Sequence, residues 1–398
     1  MMSEEDPTPS PVATDGGEPV VAPTGNGGVP APTPEDAGTP GPGPLDAASD
    51  AQTLSADASM DGPTDSSIDT GPCVPCADGS CVDTTTDPGN CGGCGITCGG
   101  QCTGGRCLVT LATASEPIQL AIDAQNVYFT AYDGTVDKVP VDGGAVTVLA
   151  EGIGYPWGIT IDANAVYFGV PNFITGGVNA WVGSVPIGGG APTTLASNTA
   201  GGRLLAVLDG ILYWDSGGYE TSTDAEITRV PVYGGTPTPF VPIKPGGFYS
   251  IGGMVPRDGQ LFFTEDGVGI ESLAPEATTP TPIANVAAGS IALDDANIYT
   301  VSTDGLLSIS RATGAVTTLV PGTQQEITNS PTSIATDGVN VYWTNYYGIT
   351  QSTVLRVPVG GGPTTTLASG QNDTSSVVLD STSVYWIAGS LIQKLNKN

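Results

Sequence analysis

A seven-fold internal repeat constrains this chain more than any other feature. Its clearest copy runs from Pro331 to Gly370 and reads PTSIATDGVNVYWTN, a Tyr-rich insertion, then TVLRVPVGGGPTTTLASG. Four short runs, 333–336, 341–344, 354–359 and 364–368, are rich in Val, Ile, Tyr, Trp or Thr. Each is too short for a helix and is bounded by Asp-Gly, Gly-Gly-Gly or Ser-Gly, which is the pattern of antiparallel strands joined by tight turns. One repeat is therefore one four-stranded sheet.

The repeat is marked by an Asp that ends the first run, four or five residues before an aromatic of the second. It recurs as Asp123 before Tyr128, Asp162 before Tyr167, Asp209 before Tyr213 and Asp258 before Phe262. It continues as Asp294 before Tyr299, Asp337 before Tyr342 and Asp380 before Tyr385. Seven markers imply seven sheets, and their period of roughly 36 to 49 residues is that of propeller blades. SISRATGAVTTLVPG in the fifth copy is a weaker match, and around Leu273 to Ala284 the fourth copy has lost the Gly-Gly turn. The last copy stops after SVYWIAG and SLIQKLNK, one strand short. LVTLATA at 108–114 supplies a matching fourth strand, so the expected fold is all-β, a seven-bladed propeller closed by pairing this N-terminal strand with the C-terminal blade. Closure removes the exposed strand edges of an open array.

Ahead of the repeats the composition changes twice. Residues 1–72 are built from Pro, Thr, Ser, Gly, Ala and Asp and have too few large apolar residues to offset the cost of ordering a backbone, so a disordered acidic spacer is expected. Residues 73–107 hold all eight cysteines: Cys73, Cys76, Cys81, Cys91, Cys94, Cys98, Cys102 and Cys107. Cys73-x-x-Cys76 followed by Cys91-x-x-Cys94 resembles a zinc ribbon. Asp78, Asp83 and Asp87 among the thiols, with only Arg106 as a basic neighbour, disfavour a thiolate cluster, and the even count favours a small disulfide knot whose connectivity is left open. Residues 108–398 then form the propeller.

Charge and missing residue types exclude several functions. Forty acidic residues against ten basic ones give a formal charge of -30, which repels nucleic acid. The chain has no histidine, which removes imidazole bases and His-held metals. No apolar run is long enough for a transmembrane helix. The start, Met-Met-Ser-Glu-Glu-Asp, has no positively charged region before an apolar stretch. Because a disulfide knot needs an oxidising compartment, an export signal, with a possible lipid anchor, is expected upstream of the recorded start or already removed.

The Val-Tyr-Trp-Thr core, with Asp upstream and Val-Pro-x-Gly-Gly downstream, resembles YWTD-type and TolB-like propeller repeats. The Asn-Cys-Gly-Gly-Cys-Gly run is similar to Cys-rich modules that precede propellers in exported proteins of myxobacteria and relatives. The resemblance implies an extracellular, periplasmic or outer-surface protein. It departs from the receptor YWTD pattern, which has six blades. It says little about function, since propellers host binding modules and enzymes alike.

The marker aspartates lie in seven different blades, so Asx turns are expected there in preference to calcium ligation. The repeated Tyr and Trp of the second strands are expected in the inter-blade core. Variation between copies points to one rim, where second-to-third and fourth-to-first connections meet. The ligand-binding candidates there are Tyr155, Trp157, Phe173, Tyr219, Phe248, Tyr249, Asn345, Tyr346 and Tyr347, a set suited to a glycan, peptide or partner protein. No catalytic residue and no cofactor is assigned. The alternative is a lactonase-like hydrolase holding calcium through Asp215, Asp224, Glu226, Glu265, Asp266 and Asn345; a further alternative is a purely structural surface protein.

Overall fold

The computed structural model describes residues 73–171, 180–197, 199, 201–216, 225–243, 251–302, 304–322, 331–346 and 351–397. The spacer expected over residues 1–72 lies outside them. Blade 1 consists of Pro117–Ile122, Asn126–Ala131, Thr135–Pro140 and Thr147–Ala150, each strand paired antiparallel with the next. Five further four-stranded blades follow in the same order, beginning at Ile159, Leu205, Ile251, Ile291 and Pro331. Blade 4 keeps its four strands although its third and fourth are joined without the Gly-Gly turn. The first strands of neighbouring blades face one another, so they surround the axis of a seven-bladed propeller.

The seventh blade is assembled from both ends of the repeat region. Thr374–Leu379, Ser383–Ala388 and Leu391–Asn396 are completed by Arg106–Thr113, which pairs Leu108 with Leu395 and Thr113 with Leu391. A fifth strand, Gln101–Thr103, adds to the outer edge. Arg106–Thr113 carries both Cys107 and the closing Leu108, so knot and propeller share one strand. The cysteines form disulfides: Cys73–Cys81, Cys76–Cys94, Cys91–Cys102 and Cys98–Cys107.

Adjacent aromatics in the second strands explain how the blades stack. Successive strand residues point to opposite faces, so Tyr-Phe or Tyr-Trp reaches both neighbouring blades. Tyr128 packs in one cluster with Phe168 of blade 2, Tyr167 with Trp214, and Tyr213 with Phe263. Tyr299 packs with Trp343, Tyr342 with Trp386, and Tyr385 with Phe129 across the closing seam. All twelve of these rings are almost fully buried.

Hydrogen bonds lock the same positions. Asp123 accepts the Gln125 and Asn126 N–H groups on one carboxylate oxygen, each at 2.7 Å, and the Tyr128 hydroxyl on the other at 2.8 Å. The expected Asx turn is thus joined by an Asp–Tyr bond, repeated at Asp162–Tyr167, Asp294–Tyr299, Asp337–Tyr342 and Asp380–Tyr385. In blades 3 and 4 Asp209 and Asp258 have φ near 50° and precede glycines at positive φ, which shortens the hairpin. Phe262 there has no hydroxyl to donate.

The few basic side chains reach from blade to blade. Lys138 donates to the Ile187 carbonyl at 2.8 Å, Arg229 to Pro275 at 2.7 Å, Arg356 to Lys397 at 2.6 Å and Lys394 to Val141 at 2.8 Å. Each acceptor follows the third strand of the next blade. Charge-assisted bonds of this kind, shielded from water, are stronger than neutral ones.

Candidate functional site

A cavity of about 750 Å³ occupies the axis, walled by first-strand residues of the blades, among them Leu120, Ile159, Leu205, Met254, Ile291, Ile334 and Val377. First strands are bulged at Pro117/Gln119, Ile251/Met254, Pro331/Ser333 and Ser375/Val378, which releases backbone groups from ladder pairing. Some are taken up across blade boundaries: the Leu120 N–H donates to Ser376 Oγ at 2.8 Å and the Val377 N–H to Ser333 Oγ at 3.0 Å. The wall is therefore held by hydrogen bonds as well as by packing.

The cavity opens at the end where second strands turn into third strands. Glu116, Tyr132, Trp157 and Asp373 line this mouth. Tyr132 stacks on Tyr155 with ring centroids 4.8 Å apart, and both are 48% exposed. The Trp157 backbone is fixed by its N–H donating to Gly169 O at 2.7 Å and its carbonyl accepting from Thr130 Oγ1 at 2.8 Å. Three of the five non-glycine residues at positive φ among the described residues, Glu116, Asp373 and Ser376, line this cavity. Glu116 and Asp373 are exposed, and among the described residues no Lys or Arg lines the cavity.

Of the rim residues expected from sequence, Trp157 lines the cavity and Tyr155 joins it through Tyr132. Tyr346 is 36% exposed but does not line it. Asn345 is a correction: it is fully buried at the end of Asn340–Asn345, its carbonyl accepting from Thr374 Oγ1 of the next blade at 3.4 Å, so it presents no side chain at the rim. Phe173, Tyr219, Phe248, Tyr249 and Tyr347 lie outside the described residues. Tyr132, Glu116 and Asp373 were missed because they sit in tight connections and not in insertions; an aromatic just past a second strand was the available signal.

The acidic candidates have other roles. Asp215 is buried, pairs with Arg203 at 3.2 Å and accepts the N–H groups of Gly202, Arg203 and Leu204. Burial pushes its carboxyl pKa up, and Arg203 with the three N–H groups pulls against that shift. Glu226 accepts from Thr228 Oγ1 at 3.1 Å, Asp266 is exposed, and Asp224 lies outside the described residues. Glu265 and Glu271 are both buried in blade 4, and burial together with the Glu265 charge raises Glu271 to about 7. Among the described residues no group of three or more Cys, Asp or Glu side chains is arranged to hold a metal ion.

Solved structures similar to this chain are propellers. A catalytically inactive His-to-Ala variant of virginiamycin B lyase from Staphylococcus aureus, with quinupristin, matches at TM-score 0.54 and 16% identity, over 74% of this chain and 100% of that one. The WD40 β-propeller domain of Doa1 matches at 0.53 and 15%, over 73% and 97%. YCF48 bound to D1 peptide matches at 0.54 and 10%, over 73% and 95%. At these identities the likeness establishes the fold, which hosts both enzymes and binding proteins. No protein-family profile and no curated protein matches the chain by sequence.

Proposed function

We propose that this chain is a non-catalytic interaction module of an exported or surface-tethered protein, taking a peptide, protein segment or glycan at the mouth of the axial channel. The observation that carries this is the cavity of about 750 Å³ bordered by Trp157 and by the half-exposed Tyr132–Tyr155 pair. Its size falls within the range of ligand sites, and exposed rings with no core to fill supply stacking surfaces. YCF48, seen with a peptide, is a precedent for the fold in such a role. The four disulfides support an oxidising compartment, as does the resemblance to exported YWTD-type and TolB-like propellers. The lyase neighbour is inactivated by loss of a histidine, and this chain has none.

The test is a peptide and glycan array probed with the full chain, in calcium and in chelator. Binding lost in Trp157→Ala and indifferent to chelator supports the module; binding that survives Trp157→Ala overturns the mouth as its site.

The Glu265–Glu271 pair favours a second reading, a lactonase-like hydrolase using carboxylates and a divalent cation such as calcium. A raised carboxyl pKa suits general acid–base work. Calcium-dependent turnover of a lactone, lost in Glu271→Gln, would establish it; a chain inert towards lactones in calcium removes it.

A further inference from the structure

We infer that the ligand taken at the channel mouth is cationic: a lysine or arginine side chain of a peptide segment, seated against Tyr132 and Trp157 with Glu116 and Asp373 as its counter-charges. This rests on the proposed interaction function and names its ligand chemistry. Three independent features lead to it.

The first is the lining. Among the described residues the cavity carries two carboxylates and two aromatic rings at its mouth and no basic side chain. A desolvated ammonium or guanidinium is attracted both by an aromatic face and by a carboxylate. An anionic ligand would meet two like charges.

The second is the distribution of charge between the two ends of the propeller. The inter-blade cations Lys138, Arg229, Arg356 and Lys394 reach carbonyls that follow third strands, at the end opposite the mouth. Arg311 and Lys397 pair there with Asp258 and Asp337 at 2.7 Å and 3.1 Å. At the mouth end, Arg203 is already paired with Asp215, whereas Asp133, Asp266 and Asp304 join Glu116 and Asp373 in the connections. Among the described residues the negative charge at this end is therefore left without basic partners, and a protein of formal charge -30 draws cations towards it.

The third is the backbone at the two acids. Glu116 at φ 50° and Asp373 at φ 37° each stand one residue before a first strand, in adjacent blades 1 and 7. The Tyr132 N–H donates to the Glu116 carbonyl at 3.1 Å and the Gly389 N–H to the Asp373 carbonyl at 3.4 Å, the same bond in each blade. Non-glycine residues at positive φ are disfavoured, and their coincidence with a cavity mouth is a mark of functional placement. The acids thereby stand at the mouth in neighbouring blades, Glu116 beside Tyr132.

The experiment titrates the full chain with capped Ala-Lys-Ala peptide, its arginine form, its norleucine isostere and a glutamate form of opposite charge, reading tryptophan fluorescence up to millimolar peptide. The lysine and arginine peptides should bind and the norleucine and glutamate peptides should not. The double variant Glu116→Gln, Asp373→Asn, isosteric and exposed, should weaken binding by at least about tenfold, with an unchanged melting transition. Affinity should also fall as salt is raised. Equal binding of the norleucine peptide, lost in Trp157→Ala, overturns the charge preference while leaving the mouth as a binding site. Unchanged affinity of the lysine peptide in the double variant overturns the assignment of its counter-charges. Silence with all four peptides overturns the cationic ligand, and the array with Trp157→Ala then decides the interaction function separately.

Discussion

Lys394 in the last blade donates to the Val141 carbonyl of the first, 2.8 Å away across the seam where the two ends of the repeat region meet. The same bond runs from Lys138 to Ile187 between blades 1 and 2, so the closing junction is built like an internal one. Next to it Tyr385 packs with Phe129 as Tyr128 packs with Phe168. The ring closes by repetition of its ordinary interface and not by a special device.

Removing residues 108–112 takes the outer strand from blade 7 and exposes the edge of Leu391–Asn396. Thermal unfolding followed by circular dichroism should lose its cooperativity. Lys394→Met, which keeps the packing but not the bond, should cost about 1–2 kcal/mol in urea unfolding. An unchanged transition in the deletion would contradict closure through this strand.

The Asp–Tyr bond has an internal control, because blade 4 already carries Phe262 in place of the tyrosine. Tyr299→Phe leaves the buried ring and removes the hydroxyl that donates to Asp294 and accepts a long 3.4 Å bond from Asn297 Nδ2. The expected loss is about 1 kcal/mol. Phe262→Tyr should yield no equal gain, since Asp258 sits in a shortened hairpin at φ 51°.

Glycine is required where two blades approach through their backbones. A Cβ on Gly169 would lie 1.9 Å from the Gly202 carbonyl oxygen. Backbone cannot yield as a flexible side chain does, so Gly169→Ala should destabilise by about 3 kcal/mol or leave the chain insoluble. Soluble expression with an unaltered urea midpoint would refute this.

Stability should depend on pH through Glu271. Its folded carboxyl is raised from 4.5 to about 7 by burial and by Glu265, so the native state keeps a proton that the unfolded chain releases. The associated stability is complete below 4.5 and is lost as pH rises through about 7. Glu271→Gln, which mimics the protonated group, should flatten this decline; a wild-type urea midpoint that rises over the same window would have the wrong sign.

Trp157→Ala and Tyr132→Ala should abolish ligand capture with little effect on melting, since neither ring belongs to the inter-blade clusters. A large fall in melting temperature would make these rings structural.

Much of this was legible in the residues themselves. Strand position, blade number and the completing strand at 108–114 follow from local periodicity and turn chemistry, which act over a few residues. Tyr-Phe and Tyr-Trp neighbours in one strand already implied burial on both faces. The disulfide pairing did not follow, because it depends on which cysteines the folded loops bring together. Asn345 misled: it stands at the start of an insertion, yet its side chain turns inward at the end of its strand.

What the sequence by itself determined is a ring of seven similar sheets, since each repeat holds its own strand and turn signals and cannot bury both faces alone. Only the tertiary structure decided which residues share the axial mouth. Glu116 and Asp373 are 257 positions apart in numbering yet stand in adjacent blades, a distance that ring closure removes and local patterns cannot reveal. Tyr132 is set beside Glu116 by a hydrogen bond within blade 1, whereas Asp373 reaches the same mouth only through the packing of blade 7 against blade 1.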